Sequence, residues 1–371
     1  MRIAYILNTL AIGGAERLIV ALAEGMIARG HAVELLTVLA AAENELPTSL
    51  AVHRLGITHN PFTLPRGLVR GVRALREFRP DVIHANNFHG NLVARALRVF
   101  VPHAAVVSTI HNVNEGGVAR RLALRLSDPL SDRTAAVCES AAEAAIRQRV
   151  VPRSKCTVID NGIDCAEFAP HADRRARQRA QAGLNPEFVW LAAGRLAPAK
   201  DYPNLLRAFA QVHASAPDAR LWIAGEGKRL YSEHLRRLAV SMGIGASVRW
   251  LGLRRDIPAL LDAADGFVLA SAWEGLPLAL AEAMAMEKIV VATDVGGVRD
   301  LAGNSGQIVR ARNSGSLAAA MLRLMREPPE IRRALGRAAR ARILDRFSIE
   351  ENISRWEALY ESVLNLCGQG V

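Results

Sequence analysis

Two glutamates, Glu274 and Glu282, stand in the segment Ser271-Ala272-Trp273-Glu274-Gly275-Leu276-Pro277-Leu278-Ala279-Leu280-Ala281-Glu282-Ala283-Met284-Ala285. The apolar run before it, residues 266–270, reads as a buried strand, and the Gly-Leu-Pro turn opens a helix. A helix N-terminus offers unpaired N–H groups and a partial positive charge, which suit a phosphate or diphosphate. Glu274 sits before the turn, where strand ends of open α/β sheets meet ligands. Glu282 lies about 9 Å along the axis from Leu276. That separation disfavours a single acid–base dyad of the glycosidase kind. It suits two carboxylates holding two parts of one long ligand. Glu282 is an acid among Ala, Met and Leu, so it must be paired or hold a ligand. Glu274 has helix capping as its other reading.

Other chemistry-bearing residues also fall at predicted strand ends. Arg195 and Lys200 follow the strand at 189–193. A planar fork and a point charge together suit a diphosphate. His111 ends the strand at 105–110 and is read as pointing into a cleft. His84 is read as ending another strand, with a structural or an acceptor-side role. Gly13 and Gly14 lie between a strand and a helix, where glycine allows a ligand close to the backbone or simply makes a tight turn. Glu16 caps that helix or reaches across the cleft. Gly225 and the pair Leu253 and Arg254 follow two further strands.

The positioning elements alternate. Residues 2–8, 32–38, 82–85, 105–110 and 134–138 read as strands, with helical periodicity at 14–29, 66–78, 90–100, 117–127 and 140–149. A second strand set lies at 189–193, 219–224, 248–251, 266–270, 289–292 and 306–309. Such alternation predicts right-handed βαβ units in two doubly wound, Rossmann-like domains. Turn residues at 160–170 form the linker. The expected division is 1–165, 166–347 and an amphipathic C-terminal segment, 348–371.

The chain has 371 residues, half of them hydrophobic, and a net charge of +11. Residues 1–157 carry +7 of that excess. A basic surface suits anionic lipid or an acidic small substrate. Nucleic acid is disfavoured, because no interleaved basic–aromatic platform is present. Residues 66–76 and 118–126 are basic and amphipathic, and Arg120, Arg121 and Arg125 beside Leu122, Leu124 and Leu126 are expected to meet a membrane surface. Packing on a sheet is the competing use of the same stripes. No signal peptide and no spanning segment are read. Cys138, Cys156, Cys165 and Cys367 lack metal or redox spacing and read as reduced cytosolic thiols.

The order of these marks resembles glycosyltransferase family 4. They run Gly13-Gly14-Ala15-Glu16, Val82-Ile83-His84-Ala85-Asn86-Asn87, Ser108-Thr109-Ile110-His111-Asn112, Val158-Ile159-Asp160-Asn161-Gly162-Ile163-Asp164, residues 193–201, Ile223-Ala224-Gly225-Glu226-Gly227, and the Glu274–Glu282 segment. The resemblance spans nearly the whole chain. It implies a GT-B fold, two Rossmann-like domains facing across a cleft, with the C-terminal helix crossing back to the first. It implies a retaining transfer of a hexose or hexosamine from a nucleotide diphosphate sugar, the co-substrate. By this resemblance the first domain takes the acceptor and the second the donor. Glu282 would take the donor ribose and Glu274 the transferred sugar. Backbone N–H groups of Gly275, Leu276 and Leu278 would meet phosphate, with Arg195 and Lys200 on the diphosphate. Gly225, Leu253 and Arg254 would hold the nucleobase, and His111 the reacting sugar. The loop at Gly13 and Gly14 would lie against donor phosphate and acceptor. No Asp-x-Asp pair is present, so no metal and no other cofactor is expected. The implied acceptor is a glycan or a polyprenyl-diphosphate-linked glycolipid of bacterial cell-surface polysaccharide synthesis. The enzyme is then cytoplasmic and peripheral on the inner membrane face. A GT-B nucleotide-sugar epimerase and a non-catalytic scaffold of a polysaccharide assembly complex are the alternatives.

Overall fold

A computed structural model describes residues 1–11, 13–40, 45–46, 48–58, 60, 62–114, 116–184 and 187–368. The chain forms two compact units, Met1–Gly162 with Ile349–Val371, and Ile163–Ser348. The first holds a parallel sheet of β1 (Arg2–Leu7), β2 (Ala32–Thr37), β3 (Val52–Arg54), β4 (Val82–Asn86), β5 (Ala105–Ile110), β6 (Arg133–Ala136) and β7 (Cys156–Val158), in the order β3-β2-β1-β4-β5-β6-β7. The second holds β8 (Val189–Ala193), β9 (Arg220–Ala224), β10 (Val248–Gly252), β11 (Gly266–Leu269), β12 (Ile289–Thr293) and β13 (Gln307–Val309), in the order β10-β9-β8-β11-β12-β13.

Each sheet is covered by helices, which is why its central strands read as unbroken apolar runs. Every residue of β5, β8 and β12 is buried. The edge strands β3 and β7 escape sequence reading. Each has three residues and none is buried, so neither makes an apolar run. In both sheets the strand order reverses once, between β1 and β4 and between β8 and β11. Ligands of doubly wound sheets bind outside the strand C-termini at such a reversal. Lys200 follows β8 and Glu274 follows β11, so the strongest candidates of the second unit flank its switch point.

The C-terminal helix Ile349–Gly368 belongs to the first unit. Glu357 accepts from Arg29 Nη1 at 2.6 Å and pairs with His31 Nε2 at 2.7 Å. Asn352 Nδ2 donates to the Asp160 carbonyl at 2.5 Å. Trp356 and Tyr360 are buried on the same helix. Cys138, Cys156 and Cys165 are not in disulfides, and the Cys367 side chain lies outside the described residues.

Candidate active site

In the second unit two donors meet on one carboxylate oxygen, and further bonds hold the loops after β8 and β11 around it. Lys200 Nζ donates to Glu274 Oε1 at 2.6 Å, and Ser271 Oγ donates to the same oxygen at 2.5 Å. Thr293 Oγ1 holds the Ser271 carbonyl at 2.6 Å, and Ala272 N–H donates to the Ala199 carbonyl at 2.8 Å. Tyr202 Oη donates to the Gly194 carbonyl at 2.8 Å. Burial and then the Glu274 charge raise the Tyr202 phenol well above its ordinary value, so it stays neutral. Lys200 and Glu274 are mostly buried, with side chains 22% and 13% exposed. Two of the three ammonium donors remain for a ligand. Arg195 is exposed and has no side-chain partner among the described residues.

Glycines let neighbouring loops close on this pair. Gly296 has φ 54°, and a Cβ there would strike the Glu274 carbonyl and lie 2.7 Å from that of Gly275. Gly297 N–H then donates to the Gly275 carbonyl at 2.8 Å. Gly225, at φ 146°, lies against the Gly194 carbonyl, and its N–H donates to the Gly252 carbonyl at 2.7 Å. The loops after β8, β9 and β10 are thereby stacked in register. Leu253 N–H reaches Glu226 Oε1 at 3.3 Å. The Arg254 guanidinium is committed to Asp256, at 2.7 and 2.5 Å, which leaves its backbone rather than its fork for a ligand.

The short helix Leu278–Ala285 begins after Pro277, whose carbonyl takes the N–H groups of Leu280 and Ala281. The N–H groups of Leu278 and Ala279 have no acceptor within the helix. Glu282, 9% exposed, sits in its second turn. Among the described residues no group of three or more His, Cys, Asp or Glu side chains is placed to hold a metal ion.

The first unit holds the remaining candidates. His111 follows β5, half-buried, with Nε2 3.0 Å from Asn86 Oδ1. Burial pushes it down to about 4, so it is a neutral imidazole near pH 7. Glu16, at the third helical position, folds its carboxylate over Gly13, the residue before the helix Gly14–Ala28. That is the geometry of a capping acid.

His84 requires correction. It does not end a strand but stands at the centre of β4, fully buried. Both ring nitrogens are taken, Nδ1 by Tyr360 Oη at 2.7 Å and Nε2 by Thr109 Oγ1 at 2.6 Å. Trp356 lies over the ring at 4.2 Å between centroids. His84 therefore anchors the C-terminal helix, with both ring nitrogens engaged inside the first unit. Burial, followed by His111, pushes it down to about 3.

A pH dependence follows from the two histidines. The unfolded chain protonates them near the ordinary 6.5, the folded chain only near 4 and 3. The unfolded state thus binds more protons between these limits. Their contribution is complete above about pH 6.5 and is lost as pH falls. The melting temperature is expected to drop from pH 7 to pH 5. His84→Gln should melt lower at pH 7 but show a shallower drop. An undiminished slope in that variant would overturn the assignment.

Ser271, Tyr202, Thr293, Gly296 and Asn86 are missed by sequence reading. The Gly-Gly pair after β12 was visible as a turn signal, but nothing local says that it closes on Glu274.

Two doubly wound parallel units, the second with a cation–carboxylate pair at its switch point, are the architecture of the GT-B fold class. Residues 12–167 match the sequence profile of Glycosyltransferase Family 4, and residues 187–327 that of Glycosyl transferases group 1. The chain belongs to glycosyltransferase family 4. It is 25% identical over 308 residues to the UDP-Gal:alpha-D-GlcNAc-diphosphoundecaprenol alpha-1,3-galactosyltransferase of Escherichia coli, covering 80% of this chain and 79% of that one. It is 30% identical over 291 residues to the glycogen synthase of Mycobacterium tuberculosis H37Rv, covering 73% and 66%. Its fold matches that of Anabaena Alr3699/HepE in complex with UDP and glucose, with a TM-score of 0.85 at 22% identity, over 98% and 100% of the two chains. Sucrose-phosphate synthase of Thermosynechococcus elongatus matches with a TM-score of 0.85 at 23% identity, over 98% and 99%.

Proposed function

We propose that the protein moves a hexose or hexosamine, with retention, from a nucleotide diphosphate sugar to a glycan or polyprenyl-diphosphate-linked acceptor. The Lys200–Glu274 pair at the β8/β11 switch point carries this reading. It presents ammonium donors to a leaving diphosphate and a carboxylate to sugar hydroxyls on one rigid support. Arg195 and the N–H groups at Leu278 add charge complementarity where negative charge grows. These groups supply the neutralisation without a metal ion. Glu282 is assigned to the ribose, and the backbone around Gly225, Leu253 and Arg254 to the base. His111, a neutral imidazole, is assigned to the reacting sugar, which it would steady as positive charge grows. No side chain is assigned as nucleophile, so attack comes from the face the diphosphate leaves, and the diphosphate takes the acceptor proton. The names of the E. coli relative and of the Anabaena complex support a nucleotide sugar as donor and a lipid diphosphate as acceptor.

The stereochemistry tests this. The first-formed product is expected to keep the donor's anomeric configuration, α from an α-linked nucleotide sugar. NMR showing a β-linkage would sink the mechanism and the roles given to Glu274 and His111. Product from labelled donor without acceptor would instead indicate epimerase chemistry, and failure to bind any nucleoside diphosphate a scaffold.

The acceptor assignment carries a membrane expectation. In the helix Val118–Ser127 only Leu124 is buried, while Val118, Leu122 and Leu126 form one stripe at 72%, 50% and 71% exposure. Arg121 and Arg125 flank it, and Arg120 lies over Phe88 at 4.8 Å. In the helix Thr63–Phe78, Val69 is 69% exposed. No helix among the described residues is long and apolar enough to cross a membrane. A peripheral contact with the inner leaflet fits such a face. Each arginine near an anionic surface contributes about 1 kcal/mol, weakened by salt. Replacing Arg120, Arg121 and Arg125 with Gln should reduce sedimentation with anionic vesicles and leave nucleotide binding intact. Wild-type protein that ignores such vesicles at low salt would rule this contact out.

A further inference from the structure

β4 runs straight into the helix Asn87–Arg98, and Asn86 stands at the join. An asparagine just before a helix ordinarily turns its side chain onto the first free N–H groups. Asn86 makes no such cap bond, and Asn8 Oδ1 meets the Gly90 N–H of the first turn at 3.2 Å instead. The backbone leaves the strand in an unusual way as well, with Asn87 in the left-handed region at φ 64°. Few residues other than glycine hold that conformation, and asparagine is among the most tolerant.

Freed from capping, Asn86 serves the next strand. It pairs in register with Thr109 of β5, so His111, two residues on, comes up on the same side. His111 Nε2 donates to Asn86 Oδ1 at 3.0 Å. Asn86 is 0% exposed, and its Nδ2 is buried without a partner. An unpaired buried amide lowers stability. An apolar side chain would avoid that cost, so folding alone does not account for an amide here.

The consequence lies in the imidazole. His111 is neutral near pH 7, and a neutral ring carries one N–H and one lone pair. An amide oxygen only accepts, so it keeps the proton on Nε2 and leaves the lone pair on Nδ1. Nδ1 has no hydrogen-bond partner among the described residues and is not among the sealed atoms. The neighbouring titratable group, His84, is itself neutral with both ring nitrogens engaged. A lone pair can take a hydroxyl proton and faces growing positive charge favourably. An N–H in the same place would repel that charge.

We infer that Asn86 is a positioning residue, holding His111 through Nε2 so that the open Nδ1 is an acceptor toward the sugar and not a donor. The inference rests on the assignment of His111 to the reacting sugar, and adds which nitrogen works and what holds it.

Nitrogen NMR of the histidine rings in the isotope-labelled full-length protein tests it. The His111 signals are those missing from His111→Gln. At pH 7 the wild-type proton is expected on Nε2. Asn86→Ala should spread it over both nitrogens. That variant should also lower kcat about tenfold, the scale of one hydrogen bond, and change donor KM by less than about threefold. Turnover is read with whichever of UDP-glucose, UDP-galactose and GDP-mannose the wild type consumes. Asn86→Asp keeps an acceptor oxygen in place, so the proton should stay on Nε2, and its charge should raise the pH at which the ring titrates. A wild-type proton on Nδ1 overturns the inference. So does a proton that stays on Nε2 in Asn86→Ala, or an Asn86→Asp ring that titrates as in the wild type. A spread proton with unchanged kcat removes Asn86 from the reaction. In that case slow turnover in His111→Gln would leave the assignment of His111 standing, and normal turnover would remove that assignment too.

Discussion

Lys200→Ala is expected to lower turnover about 10²-fold or more, on the scale of losing one preorganised charge-stabilising group. The lysine faces a leaving group whose charge grows in the transition state, so kcat should suffer more than donor affinity. The variant also strips Glu274 of its ion pair, although Ser271 still donates to the same oxygen. A modest fall in melting temperature is therefore expected along with the loss of turnover. Arg195→Ala supplies the contrast. Arg195 is exposed and without a partner among the described residues, so its loss should reduce turnover with almost no change in stability. Steady-state rates and thermal melts of the two single variants and the double variant decide the matter. Near-normal turnover in the double variant would remove the diphosphate assignment.

Gly225→Ala is expected to have the largest effect on the fold of the second unit. A Cβ at this position would fall 2.0 Å from the Gly194 carbonyl oxygen and 2.8 Å from its carbon. Both belong to backbone, so no side chain can swing away. The φ of 146° is also one that alanine rarely adopts. The stacked loops after β8 and β9 would have to part, and Arg195 and Lys200 would move with them. A loss of roughly 4 kcal/mol or more is expected. For a unit of this size that lowers the melting temperature by about 8 °C or more. Nucleotide binding should fall with it. Gly243→Ala is the control, since Gly243 also has positive φ, 74°, but nothing lies within 4 Å of its Cβ. Equal melting temperatures for the two variants would show that the close approach at Gly225 is not what matters.

The alternation of apolar runs and helical stretches was enough to read two doubly wound layers, because strands buried on both faces leave an uninterrupted apolar trace. β3 and β7 left no such trace, since Val-His-Arg and Cys-Thr-Val are short and interrupted by polar residues, whereas the equally short edge strand β13 carries the apolar pair Ile308-Val309. Residue types at the ends of β5, β8 and β11 were legible for the same reason: a polar residue directly after an apolar run marks where the chain leaves the sheet. His111 is a candidate on that ground, while Arg195, Lys200 and Glu274 are candidates as charged residues in the loops that follow β8 and β11.

His84 shows where this reasoning stops. Its place in a Val-Ile-His-Ala-Asn run suggested a strand end, because a polar side chain inside a covered strand is unfavourable unless paired. The partners that pair it, Tyr360 and Thr109, lie 276 and 25 residues away. Only folding brings them to it. Sequence by itself determined the strands other than β3 and β7, the family resemblance and the candidate groups near the strand ends, since these depend on local periodicity and spacing. The tertiary structure decided which of those groups meet. It joined Lys200 to Glu274, turned the Arg254 fork onto Asp256, folded Glu16 over its own helix start and sealed His84 beneath the C-terminal helix. The reason is physical: a side chain's role depends on desolvation and on the charges and donors within a few ångströms, and most of those neighbours come from distant parts of the chain.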